Sequence, residues 1–197
     1  MTTRLTLKSA LLGGGLILAF AANAESPSAE MLSYTCAGCH GTDGVSNGPA
    51  IPTIAGISKD FFIELMTEFR DDTLPSTVMG RIAKGYSDEE IELMSDFFSE
   101  QAFVAAKQES DAELAAAGAK LHDKYCEKCH ADGGTSAEDD AGILAGQWTP
   151  YVKWSLEDFH SGMREMPKKM KKQMAKMQKK QGEEALPQLL NYYAGQQ

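Results

Sequence analysis

Two short stretches of this 197-residue chain share one pattern and govern the interpretation of the rest: Cys36-Ala-Gly-Cys39-His40 and Cys126-Glu-Lys-Cys129-His130. In each stretch two residues separate a pair of cysteines, and a histidine directly follows the second cysteine. The four cysteines of the chain all belong to these stretches. The sequence therefore concentrates its thiols in two similar sites.

The C-x-x-C-H pattern is the attachment signature of c-type haem. Two thiols about one helical turn apart can form thioethers with the two vinyl groups on one porphyrin edge, and the adjacent imidazole can supply the proximal iron ligand. We therefore expect two covalently attached haem c groups. The expected attachment residues are Cys36, Cys39, Cys126 and Cys129, and the expected proximal ligands are His40 and His130.

Three other uses of the cysteine pairs are open. A C-x-x-C redox dithiol normally accompanies a βαβ pattern, which this sequence lacks. Both pairs together could form a zinc site, although zinc does not require a histidine directly after each pair. Simple disulfides are the third alternative. Haem attachment is favoured because it accounts for the cysteines and for both histidines.

The similarity between the two halves extends beyond the motifs. Ile54-Ala55-Gly56 precedes Leu144-Ala145-Gly146 by 90 residues, the offset that also separates the motifs, and Met94-Ser95-Asp96-Phe97-Phe98 resembles Leu189-Leu190-Asn191-Tyr192-Tyr193 at an offset of 95. A repeat of this length is domain-sized. Only four valines occur among abundant alanine, leucine, lysine and glutamate, which disfavours sheet. We predict an all-α fold of two similar domains, residues 25–108 and 109–197.

Helix-start signals agree with this division. Ser87 with Glu90 and Ser110 with Glu113 have the spacing of capping boxes. They predict a closing helix of the first domain over residues 88–106 and a helix over residues 111–126 that leads into the second motif. Thr149-Pro150 predicts another helix start, with proline at the first helical position.

The N-terminal 24 residues have the features of an export signal. A basic start with Arg4 and Lys8 precedes an apolar segment, and Ala22-Asn23-Ala24 matches an A-x-A cleavage site. The apolar run is shorter than the roughly 20 residues that span a bilayer, so an uncleaved anchor is disfavoured. We expect cleavage after Ala24 and a periplasmic protein without a membrane span.

Methionine is the expected second axial ligand, because a thioether opposite histidine raises the reduction potential and suits electron transfer. In the first half Met79 follows the loop-like stretch Leu74-Pro75-Ser76, 39 residues after the motif histidine. Met66 and Met94 have the spacing of buried helix faces, and Met31 is too close to the motif. We predict that Met79 is the ligand.

The second half is richer in methionine. Met166 is 36 residues after the motif histidine, and a proline follows it, which favours an extended loop. Met170, Met174 and Met177 recur at the spacing of one face of a basic amphipathic helix. We predict that Met166 is the ligand, with Met170 and Met163 as alternatives.

Two histidines outside the motifs are further alternatives. His122 precedes the second motif on the same expected helix and should face away from the iron. His160 could bind iron, but a surface position or contact with a haem propionate suits it better. Neither displaces methionine as the expected ligand.

Charge is distributed unevenly along the chain. Residues 25–163 contain nine basic and 25 acidic residues, a net charge of −16, whereas residues 164–180 contain eight basic residues and one acidic residue, a net charge of +7. The basic segment is either a solvated helix face or a contact for haem propionates or an acidic partner. Its basic residues are interleaved with methionine rather than aromatics, which argues against nucleic-acid binding.

Longer stretches resemble a known family. Met79-Gly-Arg-Ile-Ala-Lys-Gly-Tyr86, residues 118–130 and Ile143-Leu-Ala-Gly-Gln-Trp-Thr-Pro-Tyr151 are similar to diheme class I cytochromes c, and more closely to cytochrome subunits of flavocytochrome c sulfide dehydrogenases. The resemblance implies two class I cytochrome c-like domains and a heterodimer with a flavoprotein subunit whose FAD oxidises sulfide. It also implies a soluble cytochrome c acceptor, with no catalytic residue in this chain.

Other functions are open at this point. A free-standing diheme carrier could serve a terminal oxidase or another membrane complex. A diheme peroxidase would need an open iron position, which a good methionine candidate in each half disfavours. A zinc-stapled structural protein would give a colourless preparation. Electron transfer from the flavoprotein is the favoured reading.

Overall fold

A computed structural model describes residues 26–138 and 141–197, so the expected signal segment lies outside the described residues. Within these ranges the chain is helical and forms no strand, which confirms the predicted all-α class. No helix in them combines the length and apolar composition needed to cross a membrane. The α-helices are α1 Ala29–Ser33, α2 Ala37–His40, α3 Lys59–Arg70, α4 Met79–Ile82, α5 Asp88–Glu100, α6 Ala112–Tyr125, α7 Ala131–Gly134, α8 Thr149–Ser161, α9 Lys168–Gln181 and α10 Ala185–Ala194.

The first half packs α1 and α3 against α5. Apolar residues recur at helical spacing on α5, and Ile91, Met94 and Phe98 are almost fully buried there. Burying such a side chain contributes about 1.5–3 kcal/mol each, so this face supplies much of the stability of the half. The core cluster comprises Leu32, Phe62, Met66, Ala83, Ile91, Met94 and Phe98.

The second half is built on the packing of α6 against α10, with α8 and α9 beside α10. Its cluster contains buried residues from α6, α9 and α10, and one residue, Ala145, from the segment between α7 and α8. These are Leu121, Tyr125, Ala145, Met177, Ala185, Leu189 and Tyr193. The helix that leads into the second motif is therefore held by the helix that ends the chain.

The same backbone contacts recur in both halves. The Gly56 N–H donates to the Phe98 carbonyl at 2.8 Å, and the Gly146 N–H donates to the Tyr193 carbonyl at 2.9 Å. These pairs are related by the offsets of 90 and 95 residues seen in the sequence. The repeated positions therefore occupy equivalent places in the two folded halves.

The closing helix of the first half was predicted too long. It ends at Glu100 rather than at residue 106, because Gln101 takes an extended conformation with φ −75° and ψ 146°. The chain then runs beside the second half, where the Ala106 N–H donates to the Gly146 carbonyl at 2.7 Å. Hydrogen bonds across the two halves replace those that a longer helix would make.

Two predicted helix starts differ by one residue. Asp111 rather than Ser110 caps α6: its carboxylate accepts from the N–H groups of residues 113 and 114, both at 2.9 Å. The Asn191 side chain accepts from the Asp111 N–H at 2.7 Å and holds the cap against α10. Trp148 rather than Thr149 precedes α8. The capping box of Ser87 and Glu90 is confirmed.

A glycine permits the close crossing of α6 and α10. A Cβ built on Gly118 would lie 2.1 Å from the Gln188 carbonyl oxygen, so any side chain would force the two backbones apart. We expect Gly118→Ala to lower the free energy of unfolding of the second half by about 1–3 kcal/mol. Chemical denaturation of the haem-loaded protein measures this. Gly85→Ala, where an added Cβ meets nothing within 4 Å, is the control, and equal stability of both variants would contradict the prediction.

Candidate functional site

The first motif lies at the end of a helical segment that follows α1. A short 3₁₀ helix, Tyr34–Cys36, leads directly into α2, which ends at His40. Cys36 is half-buried against the first core cluster, whereas Cys39 is exposed. Both thiols are free, and burial raises the pKa of Cys36. One thiol therefore faces the core and the other faces solvent.

His40 is oriented by a backbone carbonyl. Its Nδ1 lies 2.9 Å from the Pro52 oxygen. Because a carbonyl can only accept, Nδ1 carries the proton and donates. Burial lowers the pKa of His40, against the opposing effect of this hydrogen bond, and favours the neutral ring. The Nε2 lone pair is then available to bind a metal.

Met79 begins α4 and packs, half-buried, against the same cluster as Cys36. It follows a non-helical stretch that begins after α3. The cluster thus brings the predicted methionine and one predicted attachment cysteine into one apolar environment. Its role as a ligand stays a prediction.

The second motif follows α6, and Cys126 is the C-terminal cap of that helix. The N–H groups of Cys129 and His130 both donate to the Cys126 carbonyl, at 3.0 and 2.9 Å, and hold the motif as a tight turn. Cys126 packs against the second cluster, and burial raises the pKa of its thiol. Cys129 is exposed. The burial pattern of the first motif is therefore repeated.

A carboxylate inside the second motif clamps the chain on both sides of it. Glu127 accepts from the backbone N–H groups of Asp132 and Gly133 at 3.0 and 3.1 Å. The Nε2–H of buried His122 also donates to it at 2.7 Å, and in the neutral ring His122 Nδ1 accepts from the Tyr193 hydroxyl at 2.9 Å. The His122 contact, followed by these backbone donors, lowers the pKa of Glu127.

The methionines of the second half occupy different environments. Met166 is half-buried in the non-helical segment between α8 and α9, as its proline suggested. Met177 is buried in the second cluster, and Met174 packs against that cluster, as Cys126 also does. Met170 is half-buried, and Met163 is 60% exposed. Among the described residues, α9 therefore contributes the sulfurs of Met174 and Met177 to this cluster. The sequence spacing predicted only that these methionines share one face of a helix.

The two histidines outside the motifs differ in environment. His122 is 1% exposed and hydrogen-bonded at both nitrogens. His160 is exposed, and its Nδ1 donates to the Leu156 carbonyl at 2.7 Å. The first is a structural residue of the second core, and the second lies at the surface of α8.

Loops of the two halves meet through hydrogen bonds and a ring contact. The Trp148 Nε1–H donates to the Ser46 carbonyl at 3.1 Å, and the indole lies against Gly48, where a Cβ would be 2.3 Å from the ring. Gln147 exchanges two hydrogen bonds with the Thr53 backbone, at 3.0 and 2.7 Å. These contacts connect the loops that follow the two motifs.

Comparison with known proteins agrees with this arrangement. A family model described as cytochrome C oxidase, cbb3-type, subunit III matches residues 113–192. A cytochrome c4 of Azotobacter vinelandii is 30% identical over 148 residues, which cover 66% of this chain and 69% of that protein. The chain belongs to the cytochrome c family. It is a c-type cytochrome, an electron carrier whose domains hold covalently attached haem c.

Two further similarities refine the relationship of this cytochrome c. The cytochrome subunit of sulfide dehydrogenase from Chlorobaculum tepidum is 49% identical over 69 residues, which are 35% of this chain; the match spans 62% of that relative's length. The crystal structure of reduced recombinant cytochrome c4 from Pseudomonas stutzeri superposes with a TM-score of 0.70 at 24% identity, over 87% of this chain and 100% of that one. The fold is two class I cytochrome c domains in tandem.

The residues present fit haem c. Each motif of this cytochrome c offers one core-facing thiol, one exposed thiol and an adjacent imidazole. Covalently bound haem supplies one-electron redox chemistry. In the described ranges, no group of three or more histidine, cysteine or acidic side chains is placed to hold a metal ion, so the cysteine pairs are not gathered into a zinc site there.

Sequence reasoning missed Glu127 as a clamp, although its place inside the motif was a usable signal. We expect Glu127→Gln to destabilise the second domain of this cytochrome c, because the amide is a weaker acceptor for the His122 ring N–H and for the N–H groups of Asp132 and Gly133. The folded-state pKa is lowered, so the stabilisation is present above the unfolded value, about 4.3, and is lost as the pH falls through the folded value.

Denaturant unfolding at neutral and acidic pH measures this effect. The variant should be less stable than the wild type at neutral pH and equally stable once the wild-type carboxylate is protonated. Glu109→Gln, at an exposed carboxylate in the non-helical segment between α5 and α6, is the control. A stability loss that persists unchanged into acid would contradict the electrostatic explanation.

Proposed function

We propose that this cytochrome carries two haems and is the electron-transfer subunit of a sulfide-oxidising flavoprotein complex. It accepts electrons from FAD on the partner subunit and passes them singly to a soluble cytochrome c. The observation that carries the proposal is the 49% identity to the cytochrome subunit of a sulfide dehydrogenase. The two C-x-x-C-H motifs support it, because each iron accepts one electron and two centres can drain a two-electron flavin.

The proposed sites follow the motifs. Cys36 and Cys39 bind the first haem, with His40 and Met79 as iron ligands; the corresponding residues of the second are Cys126, Cys129, His130 and Met166. In both motifs one cysteine packs against the core, the other is exposed, and neither is in a disulfide, which supports this assignment. No side chain of this chain is assigned catalytic chemistry on sulfide.

The proposal includes the export of the chain and its division into domains. Residues 1–24 are removed after Ala24, and the protein works in the periplasm. Residues 25–108 form the domain of the first haem, and residues 109–197 form that of the second. The basic start, the apolar segment and the A-x-A site support export, and the repeated motif supports the boundary.

The charge distribution supports different binding partners for the acidic body and for the basic helix α9. The acidic body suits a basic soluble acceptor, whereas the lysines of α9 face solvent and suit an acidic surface of the partner or haem propionates. Lys176 and Lys180 of α9, together with Lys124, line a surface cavity of about 420 Å³. In this proposal the opposite charges separate the surface where electrons enter from the surface where they leave.

Purification from the native host tests the proposal. We expect flavin and c-type haem in one stoichiometric complex, with haem reduced when sulfide is added. The second candidate is a free-standing carrier that donates to a terminal oxidase or another membrane complex, which the similarity to cytochrome c4 favours. A flavin-free monomer that reduces an oxidase would establish that alternative and overturn the first.

The axial ligands are tested by substitution. Met79→Ala and Met166→Ala should each abolish the methionine-to-iron charge-transfer absorption of one centre and lower the reduction potential of that centre, because a thioether ligand is lost. Absorption spectroscopy and a redox titration measure both effects. Met31→Ala, at a 69% exposed position, is the control. If the band is lost in Met174→Ala or Met170→Ala instead of Met166→Ala, the sulfur was chosen wrongly.

A further inference from the structure

One peptide group joins the first motif to the second domain. The Pro52 carbonyl accepts from His40 Nδ1 at 2.9 Å, and the N–H of the same peptide, on Thr53, donates to Gln147 Oε1 at 3.0 Å. The Gln147 Nε2 group donates in return to the Thr53 carbonyl at 2.7 Å. Thr53 and Gln147 are 4% and 5% exposed, so water does not replace these partners.

The orientation of the Gln147 amide is determined by its partners. A backbone N–H can only donate and a carbonyl can only accept, so Oε1 faces the Thr53 N–H and Nε2 faces the Thr53 oxygen. The Gln108 side chain donates to the Gln147 carbonyl at 2.7 Å and holds its backbone in place. The glutamine is therefore a fixed acceptor at the end of the chain of hydrogen bonds.

Hydrogen bonds at the two ends of one peptide reinforce each other. Resonance couples the nitrogen to the carbonyl, so an acceptor on the Thr53 N–H increases the negative charge on the Pro52 oxygen. A more negative oxygen is a stronger acceptor for His40 Nδ1–H. Stronger acceptance there increases the electron density of the imidazole, as partners of metal-bound histidines do.

The glutamine that contacts the other domain is present in the second half of the repeat and absent from the first. The position that precedes Gln147 by the 90-residue offset is Ile57, whose side chain has no hydrogen-bonding group. The first domain therefore offers no glutamine at the equivalent position. The hydrogen bonds of Gln147 therefore connect the second domain to the first motif, and the side chain of Ile57 cannot make the equivalent connection in the other direction.

We propose that Gln147 is a positioning residue for the first haem: by binding the Thr53 N–H it strengthens the Pro52 carbonyl as the acceptor of His40 and keeps the reduction potential of that centre low. An electron-rich imidazole stabilises ferric iron more than ferrous iron. The inference rests on the proposed role of His40 as an iron ligand, and it does not depend on the flavoprotein partner.

Gln147→Leu in the full-length haem-loaded protein tests the inference. Leucine has a similar size and lacks the acceptor, so the potential of the first centre should shift to a more positive value while that of the second stays at the wild-type value. A redox titration measures both, with the first centre identified by the signals that change in Met79→Ala. In the reduced protein, the NMR resonance of the His40 ring N–H should move upfield, because its hydrogen bond is weaker.

Two matched variants separate this effect from a loosened interface. Trp148→Phe removes the hydrogen bond to Ser46 at the same interface but leaves the Pro52–Thr53 peptide untouched, so both potentials should stay at wild-type values. Gln147→Glu keeps an acceptor for Thr53 in either protonation state, so the first potential should not rise.

The outcomes are distinct. An unchanged first potential in Gln147→Leu, or an equal rise in Trp148→Phe, overturns the inference and leaves the proposed function standing. Mass spectrometry that finds no haem on the first motif of the wild type overturns both. A flavin-free preparation with the expected shift overturns only the proposed partner.

Discussion

The packing of the first helix of each domain against its last helix is the constraint on which the rest of the structure depends. In the first domain α1 lies against α5, and in the second α6 lies against α10. Each first helix leads within a few residues into a C-x-x-C-H motif, so the pairing fixes where the thiols and imidazole lie. The apolar faces of α5 and α10 are the main stabilising surfaces. Without that packing, helices as short as α1 would not form in water.

Much of the fold could be predicted because it depends on local or periodic signals. The all-helical class, the start of α5 after Ser87 and the amphipathic α9 follow from composition, capping and periodicity. The non-helical segment between α5 and α6 could not be predicted in this way. The residues that follow Glu100 have ordinary helix-forming composition. The hydrogen bond of Ala106 with Gly146 joins the two domains, and no pattern in the local sequence predicts such a contact. Tertiary hydrogen bonds therefore overrode helix propensity.

The residues of the candidate site also fall into those that local sequence identifies and those that only the fold brings together. The cysteines and motif histidines could be identified from adjacency alone, and their assignments as haem residues stay predictions, as do the axial methionines. Glu127 carried a local signal, because it lies inside the motif and its backbone partners follow within six residues. Gln147 could not be recognised as a partner of the first motif, because only the fold brings it near the Thr53 backbone. That His122 faces away from the iron stays a prediction; the fold uses its side chain to join α6, α10 and the second motif, a role that sequence reasoning did not foresee.

The unequal exposure of the two thiols in each motif also bears on the order of maturation. In the folded chain a reagent reaches Cys39 and Cys129 more readily than Cys36 and Cys126, which pack against the apolar clusters. A group that must bond to both sulfurs of a pair therefore meets them most easily while the polypeptide is still open. Attachment to the core-facing sulfur of each pair is therefore easier before each core closes than after it.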